Sequence, residues 1–90
     1  MVKKLFKVTN ESGIHARPAT TLVNEAMKYE SEITLTALKK SIDLKSIMGV
    51  MSLGIYSGIT IEIKANGKDE NEAIEGLKNK LAELSLAKEI

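Results

Sequence analysis

The chain has 90 residues, 43% of them hydrophobic, a length that suits one domain over residues 1–90 and not two. Its 13 basic and 12 acidic side chains give a formal net charge of +1. This balance does not favour nucleic acid as a direct partner, because binding to a phosphate backbone needs a clear basic excess on one face. The absence of cysteine and the presence of one histidine exclude disulfides, thiolate nucleophiles and metal sites that need two imidazoles. We expect no metal and no cofactor.

No segment has the character of a membrane span or a signal peptide. The longest uncharged stretch, between Lys45 and Glu62, contains three glycines and falls short of the roughly 20 apolar residues that a span needs. The first seven residues are partly basic and have no apolar core. We therefore expect a cytoplasmic protein without membrane insertion. No extended apolar seam suggests self-association, so we also expect a monomer.

The first half of the chain predicts a strand, a helix and two more strands. Residues 2–9 are typical of a strand, and residues 10–13 of a turn. From Pro18 onward apolar residues recur at helical spacing, and proline suits the first helical position, which places Arg17 at the boundary. Alternation within residues 33–44 predicts two half-buried strands. Their connection lacks the Asn-Gly or Asp-Gly signal of a tight hairpin.

The second half predicts a short helix, a strand and a longer helix. Ser46 can act as the N-cap of a helix over 47–51, and residues 59–65 alternate as a strand does. Asp69 followed by Glu72 resembles a capping box. The helix after it has an apolar stripe made of Ala73, Leu77, Leu81 and Leu84. The order β-α-β-β-α-β-α predicts an α+β fold, with an antiparallel sheet and helices on one face.

The only histidine, arginine and proline stand within four residues, at His15, Arg17 and Pro18. A lone histidine near a helix start is most often incidental, but three arguments favour a site here. The positive end of the helix dipole disfavours imidazolium and so helps to keep His15 neutral and nucleophilic. The same helix end offers unpaired N–H groups to an anion, and Arg17 adds a planar cation suited to phosphoryl oxygens. A phosphohistidine needs this combination, whereas a hydrolase also needs an activating carboxylate and an oxyanion hole.

The segment after Ser46 is a second candidate site. Taken alone it is an ordinary capped helix, but so short a helix cannot bury all of its apolar residues, which are Ile47, Met48, Val50 and Met51. Those that face water would make an adaptable contact surface. A phosphate on Ser46 would lie at a helix N-terminus, where its charge is tolerated. One face of the preceding helix is either solvated or part of the same surface, and it carries Thr20, Asn24 and Met27.

Two segments resemble motifs of a known family. Residues 12–20, SGIHARPAT, resemble the phosphorylation-site motif of HPr, the histidine-containing phosphocarrier family of the bacterial sugar phosphotransferase system. Residues 44–54, LKSIMGVMSLG, resemble the regulatory-serine motif of its Firmicutes-type members. The similarity extends along the whole chain. It departs from the family at Asp43, where asparagine is more usual, and at 38–39, where Leu-Lys replaces a turn that is commonly Asn-Gly.

The resemblance implies an open-faced β-sandwich with a four-stranded antiparallel sheet and three helices on one face. It implies a phosphocarrier and not an enzyme. His15 would accept a phosphoryl group on Nδ1 from enzyme I and pass it to the A domains of enzymes II during sugar uptake, with Arg17 contacting that group. Ser46 would be phosphorylated by the ATP-dependent HPr kinase/phosphorylase. The phosphorylated form would slow enzyme I and act with a catabolite-control repressor in carbon catabolite repression.

We predict that the partner-binding residues are Thr20, Asn24, Met27, Ile47, Met48 and Met51. Two other functions stay open: a purely regulatory protein in which Ser46 works and His15 is silent, and a small metabolite-binding domain. A carrier predicts acid-labile phosphate from phosphoenolpyruvate, and a regulator predicts only acid-stable phosphoserine from ATP. A binding domain predicts thermal stabilisation by a ligand without phosphorylation. His15 and Arg17 together favour the carrier.

Overall fold

A computed structural model describes residues 1–90 as five strands and three helices. The strands are β1 (Val2–Val8), β2 (Glu32–Ala37), β3 (Lys40–Asp43), β4 (Thr60–Asn66) and β5 (Ala87–Glu89). The helices are α1 (Ala16–Ala26), α2 (Ile47–Ser52) and α3 (Glu70–Glu83). All strands pair antiparallel in one sheet of order β3-β2-β4-β1-β5. The predicted antiparallel α+β fold with three helices is confirmed, and the prediction of four strands is wrong. No helix is long and apolar enough to cross a membrane.

Alternation of side chains in β1, β2 and β4 separates a buried face of the sheet from an exposed one. In β4 the side chains of Ile61, Ile63 and Ala65 are at most 1% exposed, while Thr60, Glu62 and Lys64 point the other way. The buried face packs against apolar stripes of α1 and α3, and 23 buried hydrophobic residues form the core. Burial of these side chains supplies the main driving force for folding. The other face of the sheet has no helix over it.

The fifth strand exists because of the way α3 ends. Ser85 adopts a left-handed conformation, with φ 54°, and the N–H of Leu86 donates to the Leu81 carbonyl at 2.9 Å. A further bond from Ser85 N–H to the Ala82 carbonyl, at 3.0 Å, completes a Schellman motif. The chain then turns back, and Val8 pairs with Ala87 at the free edge of β1. Serine stands where glycine usually signals this motif, so neither the turn nor the three-residue strand was predicted.

The first helix begins two residues earlier than its proline suggests. His15 is the N-cap and Ala16 the first helical residue, so Pro18 is the third. The first N–H groups of a helix have no intrahelical acceptor, so a proline within the first turn costs no hydrogen bond. The prediction that Pro18 begins the helix was therefore wrong, although the reason for tolerating proline there is the same.

Asp69 caps a different segment from the one its sequence suggests. It occupies the N-cap position of α3 but makes no side-chain bond to that helix, so the predicted capping box with Glu72 is wrong. Its carboxylate instead accepts hydrogen bonds from the backbone N–H groups of Glu30 at 2.9 Å and Ser31 at 3.0 Å. The Ser31 hydroxyl and these backbone groups hold the pKa of Asp69 below its ordinary value. Asp69 thus ties the start of α3 to the approach to β2.

The hairpin between β2 and β3 is tight despite its sequence. Ala37 pairs with Lys40, which leaves Leu38 and Lys39 as a two-residue loop. Both have positive φ, at 53° and 68°, as a type I′ turn requires. Each left-handed residue with a side chain costs roughly 1–2 kcal/mol. Pairing of β2 with both β3 and β4 holds the loop in this form.

Candidate functional site

His15 is presented to solvent by the backbone at the start of α1. Its own backbone is extended, with φ −98° and ψ −173°, and its carbonyl accepts the first hydrogen bond of the helix from Ala19 N–H at 3.0 Å. The imidazole is exposed and makes no capping hydrogen bond. Its ring nitrogens are therefore open to an incoming group.

The loop before His15 is held by a reciprocal pair of hydrogen bonds. The Asn10 side-chain amide donates to the Gly13 carbonyl at 3.0 Å, and the Gly13 N–H donates to the Asn10 carbonyl at 2.9 Å. Ile14 is buried, and its N–H donates to the Ile55 carbonyl at 3.2 Å. One end of the loop is thus closed on itself and the other is anchored in the core, which fixes where His15 emerges.

Gly13 can be only glycine in this arrangement. Its φ is +67°, in the left-handed region, and a Cβ there would overlap the carbonyl oxygen of Ile55 and come within 2.8 Å of the Tyr56 Cα. Both obstacles are backbone atoms, which cannot swing away as the end of a long side chain can. The absence of a side chain therefore allows the loop to lie directly on residues 55–56.

The first turn of α1 offers hydrogen-bond donors beside the imidazole. The N–H groups of Ala16 and Arg17 make no hydrogen bond, and Pro18 has none to offer. The Arg17 side chain is exposed and forms no salt bridge. Two backbone donors and a guanidinium beside a nucleophile suit an anion with several oxygens, such as a phosphoryl group.

His15 and Arg17 share one shallow cleft of about 250 Å³. The structure thus brings together the two residues that the sequence singled out. The cleft contains no carboxylate, and its lining consists of Asn10, His15, Arg17, Pro18, Thr21, Leu84 and Leu86. Asn10 was visible in the sequence only as a turn residue. Leu84 was predicted only as part of the apolar stripe of the last helix, and Leu86 was not singled out, because both reach the cleft through the end of α3, about 70 residues away along the chain.

Ser46 lies at the start of the short helix, as predicted. Its side-chain oxygen accepts a hydrogen bond from the Gly49 N–H at 3.0 Å, and its carbonyl accepts one from Val50 N–H at 3.1 Å. The neighbouring Asp43 carboxylate accepts from the backbone N–H of Lys45 at 2.9 Å. The Asp43 side chain is thus tied to the loop that precedes Ser46.

The apolar side chains of α2 are partly buried and partly exposed, because so short a helix cannot bury all of them. Val50 is buried, at 1% exposure, whereas Met48 is 84% exposed. We define the apolar patch as the exposed large apolar residues of α2 together with the methionine just after α1, namely Met27, Ile47, Met48 and Met51. α1 and α2 pack against each other, so the segments that carry these side chains are neighbours in the fold.

The predicted contact residues of α1 are exposed as well. Thr20 and Asn24 both face solvent. The Thr20 hydroxyl donates to the Ala16 carbonyl at 2.9 Å, so its methyl group and its acceptor lone pairs are left to contact a partner. Their role in partner binding stays a prediction.

Comparison with known proteins relates this chain to a family. The profile described as the PTS HPr component phosphorylation site matches residues 2–83. A histidine-containing phosphocarrier protein from Mycoplasma is similar in structure, with 41% identity and a TM-score of 0.93 over 94% of this chain and 97% of that one. The phosphocarrier protein HPr of Bacillus anthracis has 39% identity and a TM-score of 0.82, over 88% and 94%. The Bacillus subtilis catabolite repression protein Crh, solved as an intertwined dimer with domain swapping, has 39% identity and a TM-score of 0.72, over 86% and 88%.

Two glycine substitutions test the anchoring of the His15 loop. Gly13→Ala should lower the free energy of unfolding by about 3 kcal/mol, because backbone overlap adds to left-handed strain. Gly54→Ala is the matched control, since Gly54 also has positive φ, at +59°, but a Cβ added there would meet no atom within 4 Å. It should cost only about 1 kcal/mol. Urea denaturation measures both, and equal losses would contradict the close packing of the loop on residues 55–56.

Proposed function

The chain belongs to the HPr family of histidine-containing phosphocarrier proteins, which are carriers of the phosphotransferase system and not enzymes, and we propose that it carries its phosphoryl group on His15. The donor is phosphorylated enzyme I, and the acceptors are the A domains of the enzymes II that serve sugar uptake. The observation that supports this most directly is the shared cleft, in which an exposed imidazole lies with the Arg17 guanidinium. We place the protein in the cytoplasm, as a single domain.

The chemistry needs little beyond this arrangement. An imidazole nitrogen, Nδ1 by family resemblance, forms a bond to phosphorus as the bond between phosphorus and the donor breaks. Arg17 and the free N–H groups of Ala16 and Arg17 hold the phosphoryl oxygens and offset their negative charge. The cleft lining contains no carboxylate that could activate water, so the bond to His15 can survive until an acceptor binds. Donation is the same step in reverse.

The surface that meets both donor and acceptor is the apolar patch with the exposed face of α1. Met48 is the most exposed side chain of the apolar patch, at 84%. Methionine side chains are flexible and polarisable, and they adapt to partners of different shape. One carrier must dock on enzyme I and on several acceptors, so such a surface fits the task.

Ser46 is the proposed regulatory site. Phosphorylation by the HPr kinase/phosphorylase would add about −1.5 to −2 charges next to Ile47 and Met48. A partner that covers the unmodified patch would have to desolvate that charge, so enzyme I loses affinity. A catabolite-control repressor with arginine or lysine at the same place gains affinity. The repressor, and not this chain, contacts the nucleic acid.

The protein is proposed to act as a monomer. The apolar patch and the His15 cleft must be open to partners, and a dimer built on either would block transfer. Crh shows that a relative of 39% identity can form an intertwined dimer. Sedimentation at several protein concentrations distinguishes the two states.

The carrier assignment rests on His15 and Arg17. His15→Ala should abolish acid-labile phosphate incorporation from phosphoenolpyruvate and enzyme I, while leaving Ser46 a kinase substrate. Arg17→Ala should slow transfer roughly 10- to 100-fold, the effect of losing a charged hydrogen-bond donor. Lys39→Ala, an exposed cation on the β2–β3 hairpin, is the control and should behave as wild type. Phosphate on His15→Ala at the wild-type rate would rule out His15, and phosphoserine alone in the wild type would favour the purely regulatory protein.

The docking role is tested at Met48. Met48→Asp should weaken enzyme I binding at least tenfold with little change in melting temperature, because the side chain is exposed and a buried charge at the interface is costly. Leu38→Asp introduces the same charge at an exposed apolar residue outside the patch and should bind normally. Titration calorimetry measures both. Unfolding of Met48→Asp, or equal loss in both variants, would count against the patch.

Two matched variants of Ser46 separate the effect of added charge from the effect of helix capping. Ser46→Asp and Ser46→Asn both keep an oxygen that can accept from the Gly49 N–H, but only the first adds a charge. Phosphorylation of His15 by enzyme I should slow for Ser46→Asp and stay near wild type for Ser46→Asn. The difference in rate between the two variants should become smaller as salt screens the added charge at position 46. Equal rates at low salt would reduce Ser46 to a helix cap.

A further inference from the structure

The sheet face that no helix covers carries a cluster of lysines. The β1–β4 register places Lys3 directly opposite Lys64, and the β1–β5 register places Lys7 directly opposite Lys88. Leu5 lies between the two pairs on the same face of β1. We call these residues the lysine face, together with Ile90, which lies beside Leu5 because its N–H donates to the Leu5 carbonyl at 3.0 Å.

The four lysines have no partner within the protein. None of them takes part in a side-chain hydrogen bond or a salt bridge. Lys4, which points to the other side of β1, does have one, since its Nζ lies 3.0 Å from the Glu89 carboxylate. Like charges directly opposite each other destabilise a sheet. The fold therefore gains nothing from these two pairs.

Exposed aliphatic side chains lie between the two lysine pairs. Leu5 is 46% exposed and Ile90 is 70% exposed. Both line one shallow depression of about 490 Å³, with Lys3, Lys4, Glu62 and Glu89 around it. Glu62, opposite Leu5, is the one acidic side chain on the outer side of β1, β4 and β5. Lys4 and Glu89 pair with each other, so the lysine face has an aliphatic centre with four unpaired lysines and one glutamate around it.

We propose that the lysine face docks on an anionic lipid surface. Lysines around a small aliphatic centre match a layer of negative headgroups over hydrocarbon, since their stems can lie along the apolar boundary while the ammonium groups reach the headgroups. The face has no aromatic side chain and no arginine on which bases could stack. Two further acidic residues of the sheet, Glu32 and Asp43, lie on β2 and β3, away from the lysine pairs, so the β5–β1–β4 side turns to the lipid.

This orientation leaves the helices accessible. The sheet lies between the lysine face and α1 and α2, so His15 and the apolar patch point away from the lipid. A bound carrier could still exchange phosphoryl groups with its partners. The proposal does not depend on that function, because it rests only on the outer face of the sheet.

The test is co-sedimentation with vesicles of phosphatidylglycerol and phosphatidylcholine in equal parts, against vesicles of phosphatidylcholine alone. We expect binding only to the anionic vesicles and its loss at high salt. Lys7→Gln/Lys88→Gln should lower the partition coefficient about 25-fold, from about fivefold per lysine. Lys39→Gln/Lys40→Gln removes the same charge at the β2–β3 hairpin and should change the partition coefficient less than about threefold. Leu5→Ser should weaken binding without altering its salt dependence.

Further measurements separate this proposal from a folding defect and from the carrier function. Lys7→Gln/Lys88→Gln should unfold at or above the wild-type temperature, because it removes a like-charge pair. It should also accept phosphate from enzyme I at the wild-type rate. Equal binding to both kinds of vesicle, no binding to either, or equal losses in the two lysine double variants would overturn the proposal. Salt-sensitive binding of duplex DNA through Lys7 and Lys88, without vesicle binding, would assign the face to nucleic acid instead.

Discussion

The contact on which the site depends is the close approach of the loop before α1 to the backbone at Ile55. Gly13 lies against residues 55–56, and the Ile14 N–H donates to the Ile55 carbonyl at 3.2 Å. Ile14 is buried beside it. The helix that follows starts from this anchored point, so the position of His15 is set by the core and not by a free loop. An exposed reactive group can therefore be held in a defined place without being enclosed.

The C-terminal segment closes the other side of the same loop. The Leu86 carbonyl accepts hydrogen bonds from Thr9 N–H at 2.8 Å and Asn10 N–H at 3.2 Å. Asn10 in turn holds the Gly13 carbonyl through its side chain. The left-handed turn at Ser85 aims Leu86 at this position. Three distant parts of the chain thus meet at the cleft: the end of β1, the start of α1 and the segment after α3.

The two sides of the sheet have different surfaces, and the difference follows from strand alternation. On the helix side lie the free N–H groups at the start of α1 and the apolar patch, where we propose that the phosphoryl group and the partner proteins bind. On the other side lie the unpaired lysines around Leu5 and Ile90. Neither surface is needed for the core, whose 23 residues lie between the sheet and the helices. Each can therefore change its chemistry without loss of the fold.

The features that depend on neighbours along the chain can be predicted from the sequence. Alternation predicted β2, β3 and β4, and a mixture of apolar residues and lysines predicted β1. Helical spacing predicted α1 and α3, and the juxtaposition of His15 with Arg17 followed from their separation by a single residue. The shortness of α2 predicted that some of its apolar side chains would be exposed, but not which of them. These predictions depend on the residue spacing of a strand or helix, or on a cap within one helical turn. Such local geometry is independent of the rest of the chain.

Features that need a partner from a distant part of the chain become apparent only in the folded structure. The three residues of β5 form a strand because β1 has a free edge, and Leu38–Lys39 form a type I′ turn because the paired strands hold it. Asp69 binds Glu30 and Ser31 instead of capping its own helix. Leu84 and Leu86 line the His15 cleft, and the lysines face one another, only after the sheet has assembled. Register and long-range packing place these side chains, and no local period in the sequence encodes either one.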